Sequence, residues 1–194
     1  MVGPVRLEGL HDKEIGYLTG LFIGDGYANY NKNDRHYRVD FYLDTKKDQE
    51  IIRCVRDLIG KTGLSTYIVK CRGSTRVSCN SKKFMEFIAR QEEDTLRGEI
   101  KNNDYALGVI SGFIDADGYV NNGDIVLVQK DKRVLDRLKQ VSEGRFKVKT
   151  RMWRRITRFK GIFPIWNLRL SMDFRHLPHN SCKVCRYSGK LLQP

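Results

Sequence analysis

Two short segments of the chain carry the residues whose types and spacing could do chemistry. Residues 16–27 read GYLTGLFIGDGY and residues 108–119 read GVISGFIDADGY, so the second copy follows the first by about half the chain. Each copy is an apolar stretch of helical character that ends in Asp-Gly-Tyr, and a glycine at this point is a typical helix stop. The repeat predicts two equivalent halves, each with one carboxylate at the end of a helix: Asp25 and Asp117.

Small residues four positions apart give each helix a flat strip. Gly20 and Gly24 form the strip in the first copy, and Gly112 and Ala116 form it in the second. Small residues at this spacing let two helices approach closely, a device familiar from membrane helices. If the strips face each other, the two helices end side by side and bring their final carboxylates together.

Two carboxylates beside two helix C-termini make an unfavourable concentration of negative charge. A hard divalent cation with oxygen ligands relieves it, and Mg²⁺ beside phosphate is the commonest form of such a site. Metal-assisted hydrolysis of a phosphodiester is the chemistry that such an ion supports. The alternative is a pair of ordinary core helices followed by turns, but the repeat, the strips and the charge of the chain favour a site.

The charge of the chain points to a polyanionic partner. The net charge is +13 over 194 residues, with a pI near 9.6. Residues 145–194 contain 13 Lys or Arg and one acidic residue, yet seven aromatic residues indicate that this region is folded. Nucleic acid is the first candidate partner and an anionic membrane surface the second. No apolar stretch approaches 18 residues, so a membrane span is excluded.

The cysteines indicate a reducing compartment. The five are odd in number, and residues 1–9 have no apolar signal core, so an intracellular location is expected, cytoplasmic or nucleoid, with an organelle left open. Two histidines and two cysteines follow one another at even spacing near the C-terminus and could hold zinc. The spacing is compressed for such a site, so free thiols are the expectation at these positions: His176, His179, Cys182 and Cys185.

Alternation and helical periodicity predict the same order of elements after each motif. In the first half these are a strand, a helix, a hairpin and a helix, at Arg35–Asp44, Lys47–Ile59, Ser65–Arg72 with Thr75–Asn80, and Ser81–Gln91. In the second half they are Asp124–Gln129, Lys132–Val141, Arg145–Arg155 with Ile162–Ser171, and a partly helical region over 172–194.

The predicted fold class is therefore α+β, with two pseudo-symmetric αβαββα halves over residues 1–98 and 99–194. The two halves form one compact pseudo-dimer in which helices cover one face of each antiparallel sheet. The other face is polar and basic, which suggests strands laid along a nucleic-acid groove. The residues expected to contact nucleic acid are Arg38, Asp40, Tyr42, Lys70, Arg72, Arg76, Lys147, Lys149, Arg151, Arg155, Asn167 and Arg169.

The two repeated segments resemble the signature motifs of the LAGLIDADG homing endonucleases. Residues 18–26 depart from the signature at four positions and residues 110–118 at three. The chain is most similar to the small, monomeric, two-motif members found in archaeal introns. The resemblance implies a DNA-binding saddle that cuts both strands of a long, asymmetric site across the minor groove.

The resemblance also implies a metal site. It consists of Asp25 and Asp117 with the residues before them, Gly24 and Ala116, and Mg²⁺ is the expected ion, with Mn²⁺ able to substitute. Asp115 falls at a variable acidic position that Ile23 occupies in the first half, so it is not assigned to the metal.

Two further catalytic positions are carried over from the family. Gln129 matches a glutamine near the end of the first strand of each repeat, for which the first half offers Asp44 or Thr45. Lys82 matches a lysine that precedes the last helix of a repeat and organises water near the phosphate. The second half has Met172 and Asp173 there, with Arg169 or Arg175 as substitutes.

The leading function is site-specific cleavage of double-stranded DNA by a monomer. The alternative of another class is an intron maturase acting on RNA, or a binder on the same fold that does not cut. Loss of the motif acids would mark that alternative, and both acids are present. A third hypothesis is a basic nucleic-acid-binding protein in which the motifs are accidental.

Overall fold

The computed structural model describes residues 7–31, 36–121, 124–157, 163–177 and 179–187. The expected first residues of two strands, Arg35 and Ile162, lie outside these ranges, as do most of the expected basic turn and the last seven residues. Within the described ranges, no helix has the length and apolar character that crossing a membrane requires.

The first half contains three helices and a four-stranded sheet. Its elements are α1 (Asp12–Asp25), β1 (Gly26–Asn31), β2 (His36–Asp44), α2 (Gln49–Lys61), β3 (Tyr67–Cys71), β4 (Ser74–Cys79) and α3 (Lys82–Arg97). The strand order is β1-β2-β4-β3, and all neighbours are antiparallel. Ser81 caps α3 by accepting a hydrogen bond from the Phe84 amide.

The second half repeats this arrangement. Its elements are α4 (Asn103–Asp117), β5 (Gly118–Asn121), β6 (Asp124–Gln129), α5 (Lys132–Phe146), β7 (Thr150–Thr157), β8 (Phe163–Leu170), a 3₁₀ turn (Met172–His176) and α6 (Cys182–Tyr187). The order β5-β6-β8-β7 mirrors the first sheet, and its strands are also antiparallel.

The α+β class, the two halves and the antiparallel sheets are confirmed, but each half has one more strand than predicted. β1 and β5 begin directly at the glycine that ends each motif helix, so the pattern is αββαββα. Both strands are short and polar, and their pairing with β2 and β6 supplies the hydrogen bonds that hold them. Such strands carry little alternation, which is why periodicity did not reveal them.

The predicted strand at Arg145–Arg155 begins too early. Helix α5 continues to Phe146, and Lys147 ends it in a left-handed conformation with φ 57°, donating its amide hydrogen to the Ser142 carbonyl. The strand starts only at Thr150. Lys147 and Lys149 therefore lie between helix and strand, and the expectation that both lie within the strand is wrong.

The motif helices α1 and α4 lie at the centre of the molecule and are buried along most of their length. The hydroxyl groups of Thr19 and Ser111 form hydrogen bonds within their own helices. Thr19 donates a hydrogen bond to the Ile15 carbonyl at 2.8 Å, and Ser111 donates to the Leu107 carbonyl at 2.7 Å. These helices therefore serve as the shared core onto which both sheets and the outer helices pack.

Glycines allow the two motif helices to touch backbone to backbone. A β-carbon on Gly20 would overlap the Val109 carbonyl oxygen, and one on Gly112 would overlap the Tyr17 carbonyl oxygen. The facing strips predicted from the sequence are thus observed, and they extend one turn further back through Gly16 and Gly108. The contact brings the C-terminal ends of both helices to one place.

We expect Gly20→Ala to lower the free energy of unfolding by about 3 kcal/mol, because the added methyl group must displace a backbone carbonyl rather than a flexible side chain. Urea denaturation followed by circular dichroism measures this change. Gly60→Ala is the matched control. It also lies in a helix, but a β-carbon there meets nothing within 4 Å. That variant should be up to about 1 kcal/mol more stable than the wild type. Equal effects of the two substitutions would contradict the close contact.

Candidate active site and nucleic-acid interface

The last turns of α1 and α4 bring the two motif carboxylates together. Gly24 faces Ala116 so closely that a β-carbon on Gly24 would overlap the methyl group of Ala116. The same β-carbon would lie 3.6 Å from the carboxyl carbon of Asp117. Asp25 and Asp117 therefore lie at one joint end of the helix pair, as the small-residue strips predict.

The two carboxylates are partly buried, and both pKa values rise. Burial raises the pKa of Asp25 to about 6, with the charge of Asp48 adding to the rise and that of Lys183 opposing it. Burial raises the pKa of Asp117 to about 7, the charge of Asp25 adds to it, and Lys183 again opposes it. Two such carboxylates lack enough positive charge around them, and a bound cation would supply it.

The donor atoms at this place suit a hard divalent ion. The two carboxylates lie beside the backbone carbonyls of two helix C-termini, so the ligand atoms that they offer an ion are all oxygens. Within the described ranges, no three His, Cys, Asp or Glu side chains are grouped closely enough to hold a metal. A site here would thus draw its remaining ligands from backbone carbonyls, water and phosphate, which is how Mg²⁺ is usually held.

Gln129 contacts Asp117 at the end of β6. Its Nε2 donates a hydrogen bond of 2.9 Å to Oδ2 of Asp117, and its Oε1 accepts one of 2.7 Å from the Lys130 amide. The second bond fixes the orientation of the amide, so the glutamine presents its donor to the carboxylate. Gln129, which the family resemblance picked out at this strand end, thus lies beside the Asp117 carboxylate.

The first half is built differently at the equivalent point. Asp44 accepts hydrogen bonds from the Lys46 and Lys47 amides, and Thr45 accepts one from Thr75, so both candidates are engaged in the local turn. In the first half it is the buried Asp48, rather than Asp44 or Thr45, whose charge raises the pKa of Asp25. The two halves of the site are therefore chemically unequal.

The lysine near the carboxylates is Lys183 rather than Lys82. The Lys82 ammonium lies 5.6 Å from the centre of the Tyr37 ring and 3.6 Å from Glu86, on the exposed start of α3. Lys183 donates hydrogen bonds to the carbonyls of Ala116 at 3.0 Å and Gly118 at 2.9 Å. Sequence reasoning missed Lys183, although Asn180-Ser181-Cys182-Lys183 at the start of α6 matches Asn80-Ser81-Lys82-Lys83 at the start of α3, and this short repeat was the signal that could have found it.

The arginines considered as second-half substitutes are engaged elsewhere. Arg169 forms an ion pair of 2.8 Å with Asp124, and Arg175 donates a hydrogen bond of 3.2 Å to His176. The side chains at this end of the chain also give no support to a zinc site. Cys182 is buried with its sulfur 4.0 Å from the Tyr17 hydroxyl, inside the protein core.

Asp115, the acidic residue left out of the predicted metal site, is fully buried and has four hydrogen-bond donors. The donors are the Tyr17 hydroxyl, the Ser181 hydroxyl, and the amides of Cys182 and Lys183, at 2.7–2.9 Å. Burial raises the pKa of Asp115, and the donors oppose that rise. Its observed role is to fasten the start of α6 to the motif helix.

The outer face of the first sheet is organised around Asp40. This side chain is fully buried, accepts a hydrogen bond of 2.6 Å from Ser78 and pairs with Arg38 at 2.9 Å. The Nε of Arg76 lies 3.8 Å from the same carboxylate. A carboxylate covered by two arginines has no surface to offer a nucleic acid. The expected direct contact of Asp40 is thus wrong, and the residue instead orients the arginines.

Register corrects two other expected contacts in this sheet. Lys70 pairs with the buried Thr75, so its side chain leaves the sheet on the side that the helices cover, opposite Arg76. Arg72 lies in the turn between β3 and β4 rather than along a strand. Tyr42 pairs with Arg76 and is exposed beside it, where it was expected.

The outer face of the second sheet has basic and aromatic side chains in register. Arg151 pairs with Arg169, Trp153 with Asn167, and Arg155 continues the same row. Asn167 is 6% exposed, and its Nδ2 has no hydrogen-bond partner among the described residues. A buried amide donor without a partner lowers the stability of the protein when no ligand is bound. The Asn167 side chain is therefore suited to donate a hydrogen bond to an acceptor atom of a bound ligand.

Comparison with known proteins shows a family and a fold. The family model described as LAGLIDADG-like domain matches residues 12–91 and 104–177, one copy in each half. An uncharacterized protein of Methanocaldococcus jannaschii, MJ0398, is 26% identical over 133 residues. The matched region is 66% of this chain and 47% of that relative, so the chain spans about half the relative's length.

Solved structures share the arrangement of elements at low identity. Variants of the homing endonuclease I-DmoI match with a TM-score of 0.71 and 22% identity, over 88% of this chain and 97% of theirs. I-DmoI in complex with DNA and Ca matches with a TM-score of 0.68 and 22% identity, over 84% and 85%. The N-terminal LAGLIDADG domain of DUF199/WhiA matches at 0.51 and 11%, over 84% and 79%.

These likenesses show a common fold, and the family match covers most of the chain. The match falls on both motif helices and on the sheets that follow them, which are the elements that assemble the paired carboxylates. The chain therefore belongs to the LAGLIDADG-like domain family and carries two copies of the domain in one polypeptide.

Proposed function

We propose that this protein is a site-specific DNA endonuclease that cuts both strands of a duplex with the help of a divalent ion. The observation that carries the proposal is the joint end of α1 and α4. Asp25 and Asp117 meet there, partly buried and with raised pKa values, in a chain of net charge +13. Paired carboxylates short of positive charge beside a phosphate-binding surface suit metal-assisted hydrolysis of a phosphodiester.

The outer faces of the two sheets support the choice of a nucleic acid as substrate. Arg38 and Arg76 on one sheet, and Arg151 and Arg155 on the other, provide charges that the phosphate backbone requires. The structures of I-DmoI with DNA, in the presence of Ca or Mn, describe that protein in a complex of this kind. The same binding mode is inferred for this chain from its family and its charges.

The residues of the chain have separable roles in the proposed reaction. Arginines of the sheets hold the phosphate backbone and place one phosphodiester of each strand at the helix ends. Asp25 and Asp117, with the carbonyls before them, would hold the ion, and Gln129 orients the Asp117 carboxylate through its hydrogen bond. Mg²⁺ or Mn²⁺ would supply Lewis acidity for the phosphate and lower the pKa of a water molecule.

Asp25→Asn and Asp117→Asn should each fold and bind DNA but lose most cleavage, because the amide keeps the shape of the carboxylate without its charge. We expect a loss of at least about 100-fold, the scale of a missing charged group at a reaction centre. The substrate is a plasmid carrying the joined sequences that flank the reading frame of the protein, incubated with Mg²⁺. Gel electrophoresis distinguishes supercoiled, nicked and linear DNA.

Asp136→Asn is the matched control, because Asp136 lies on α5 and pairs with Lys132 away from the helix ends. It should cut as the wild type does. Removal of the ion with excess EDTA should stop the wild type completely. Full cutting by both motif variants, or cutting in EDTA, would contradict the proposal. Binding without cutting by the wild type would favour a binder on the same fold.

Arg76→Gln and Arg151→Gln should each weaken DNA binding and reduce its salt dependence. The slope of log K against log salt should fall by about one for each phosphate that the protein no longer neutralises. Fluorescence anisotropy over a range of KCl concentrations measures both quantities. Arg90→Gln on α3 is the control, since Arg90 lies in the helix layer and pairs with Asp94. An unchanged slope in both sheet variants would exclude these faces as the binding surface.

A further inference from the structure

The C-terminal segment, residues 180–187, lies beyond the part of the chain that the family model matches. The match ends at residue 177, whereas the segment contains α6, which packs against α4 and β5 of the second half and contacts Tyr17 and Glu50 of the first. The segment takes the place in the second half that α3 has in the first, but α6 has 6 residues where α3 has 16. The segment therefore differs from its counterpart, and the contacts that it makes are particular to the second half.

A buried set of hydrogen bonds at one end and an exposed ion pair at the other hold the segment in place. Asp115 on α4 accepts hydrogen bonds from the Ser181 hydroxyl and from the amides of Cys182 and Lys183. At the other end, Arg186 forms an ion pair of 2.9 Å with Glu50 on α2 of the first half. Fixed at both ends, the segment has a set position relative to the motif helices, and so does the side chain that leaves its first turn.

That side chain is Lys183, and it reaches the end of α4. Its ammonium donates to the carbonyls of Ala116 and Gly118, which precede and follow Asp117. Its charge acts on the carboxyls of both Asp25 and Asp117. A cation held by carbonyls beside two carboxylates occupies the environment that a divalent ion requires, and it uses an oxygen, that of Ala116, from the inferred metal site.

We propose that Lys183 is a built-in counter-ion of the active site, which stabilises the paired carboxylates in the metal-free protein and which the divalent ion must compete with on binding. The inference rests on the proposed metal-dependent function. It assigns Lys183 a positioning role: the ammonium holds the helix end and its carbonyls in place and sets the affinity for the ion. The segment thereby adjusts the site that the two motif helices build.

The charge of Lys183 has two opposite consequences. Without an ion, the ammonium offsets two carboxylates and two helix C-termini, so its removal should destabilise the protein. With an ion, the ammonium repels the incoming positive charge and engages one of its oxygens, so its removal should tighten binding. A merely structural lysine would produce the first effect without the second.

The test compares Lys183→Gln and Lys183→Met with the wild type in Mn²⁺ binding, using chelator-treated protein without DNA. Glutamine can still donate to the two carbonyls, whereas methionine retains only the bulk. Paramagnetic resonance of free Mn²⁺ gives the affinity, and thermal unfolding in EDTA and in Mn²⁺ gives the stability. The control is Lys139→Met, because Lys139 lies on the exposed side of α5 and pairs with Glu143.

We expect both Lys183 variants to bind Mn²⁺ about tenfold more tightly, the effect of one charge near the ion in a partly solvated site. Their unfolding temperature should be lower than that of the wild type in EDTA and should rise more on addition of Mn²⁺. Lys139→Met should match the wild type, and the double variant Asp25→Asn with Asp117→Asn should lose Mn²⁺ binding.

Unchanged or weaker Mn²⁺ affinity in both Lys183 variants would overturn the inference, even if their cleavage were slower. A wild type that binds Mn²⁺ yet leaves target DNA intact would overturn the proposed function alone.

Discussion

The backbone contact between α1 and α4 is the constraint on which the rest of the structure depends. Gly20 and Gly112 let each helix rest on a carbonyl of the other, a separation that any side chain would prevent. This closeness removes water from the helix ends and forces two carboxylates into one small volume. The same contact joins the cores of two halves that would otherwise each expose an apolar helix.

The sequence predicted the features that repetition and periodicity encode. The motif helices, the facing strips, the antiparallel sheets and the meeting of Asp25 with Asp117 all follow from residue types at fixed spacings. Strand β6 was predicted with its observed bounds at Asp124–Gln129, because four consecutive apolar residues lie there between two polar ones. Short polar strands such as β1 lacked that signal.

The site was only partly predictable, since its remaining parts depend on contacts between distant residues. The burial of Asp40 under two arginines requires the pairing of β2 with β4, and the orientation of Lys70 requires the register of β3. Lys183 reaches the helix ends only because Asp115 holds α6, an interaction across 68 positions that no local pattern encodes. The charge pattern of the sequence identified the outer sheet faces as the nucleic-acid-binding surface. It could not distinguish a residue that contacts the nucleic acid from one, such as Asp40, that orients its neighbours.

The buried carboxylate of Asp115 also imposes an order on assembly. It receives one hydrogen bond from Tyr17, 98 positions earlier in the chain, and another from Ser181, 66 positions later. A chain made from its N-terminus can pack α1 against α4 while the ribosome is still adding the second sheet. Three of the four donors to Asp115 come from residues 181–183, so this carboxylate can be fully hydrogen-bonded only after that segment has been synthesised. The rate of translation therefore sets the earliest moment at which the site can be complete.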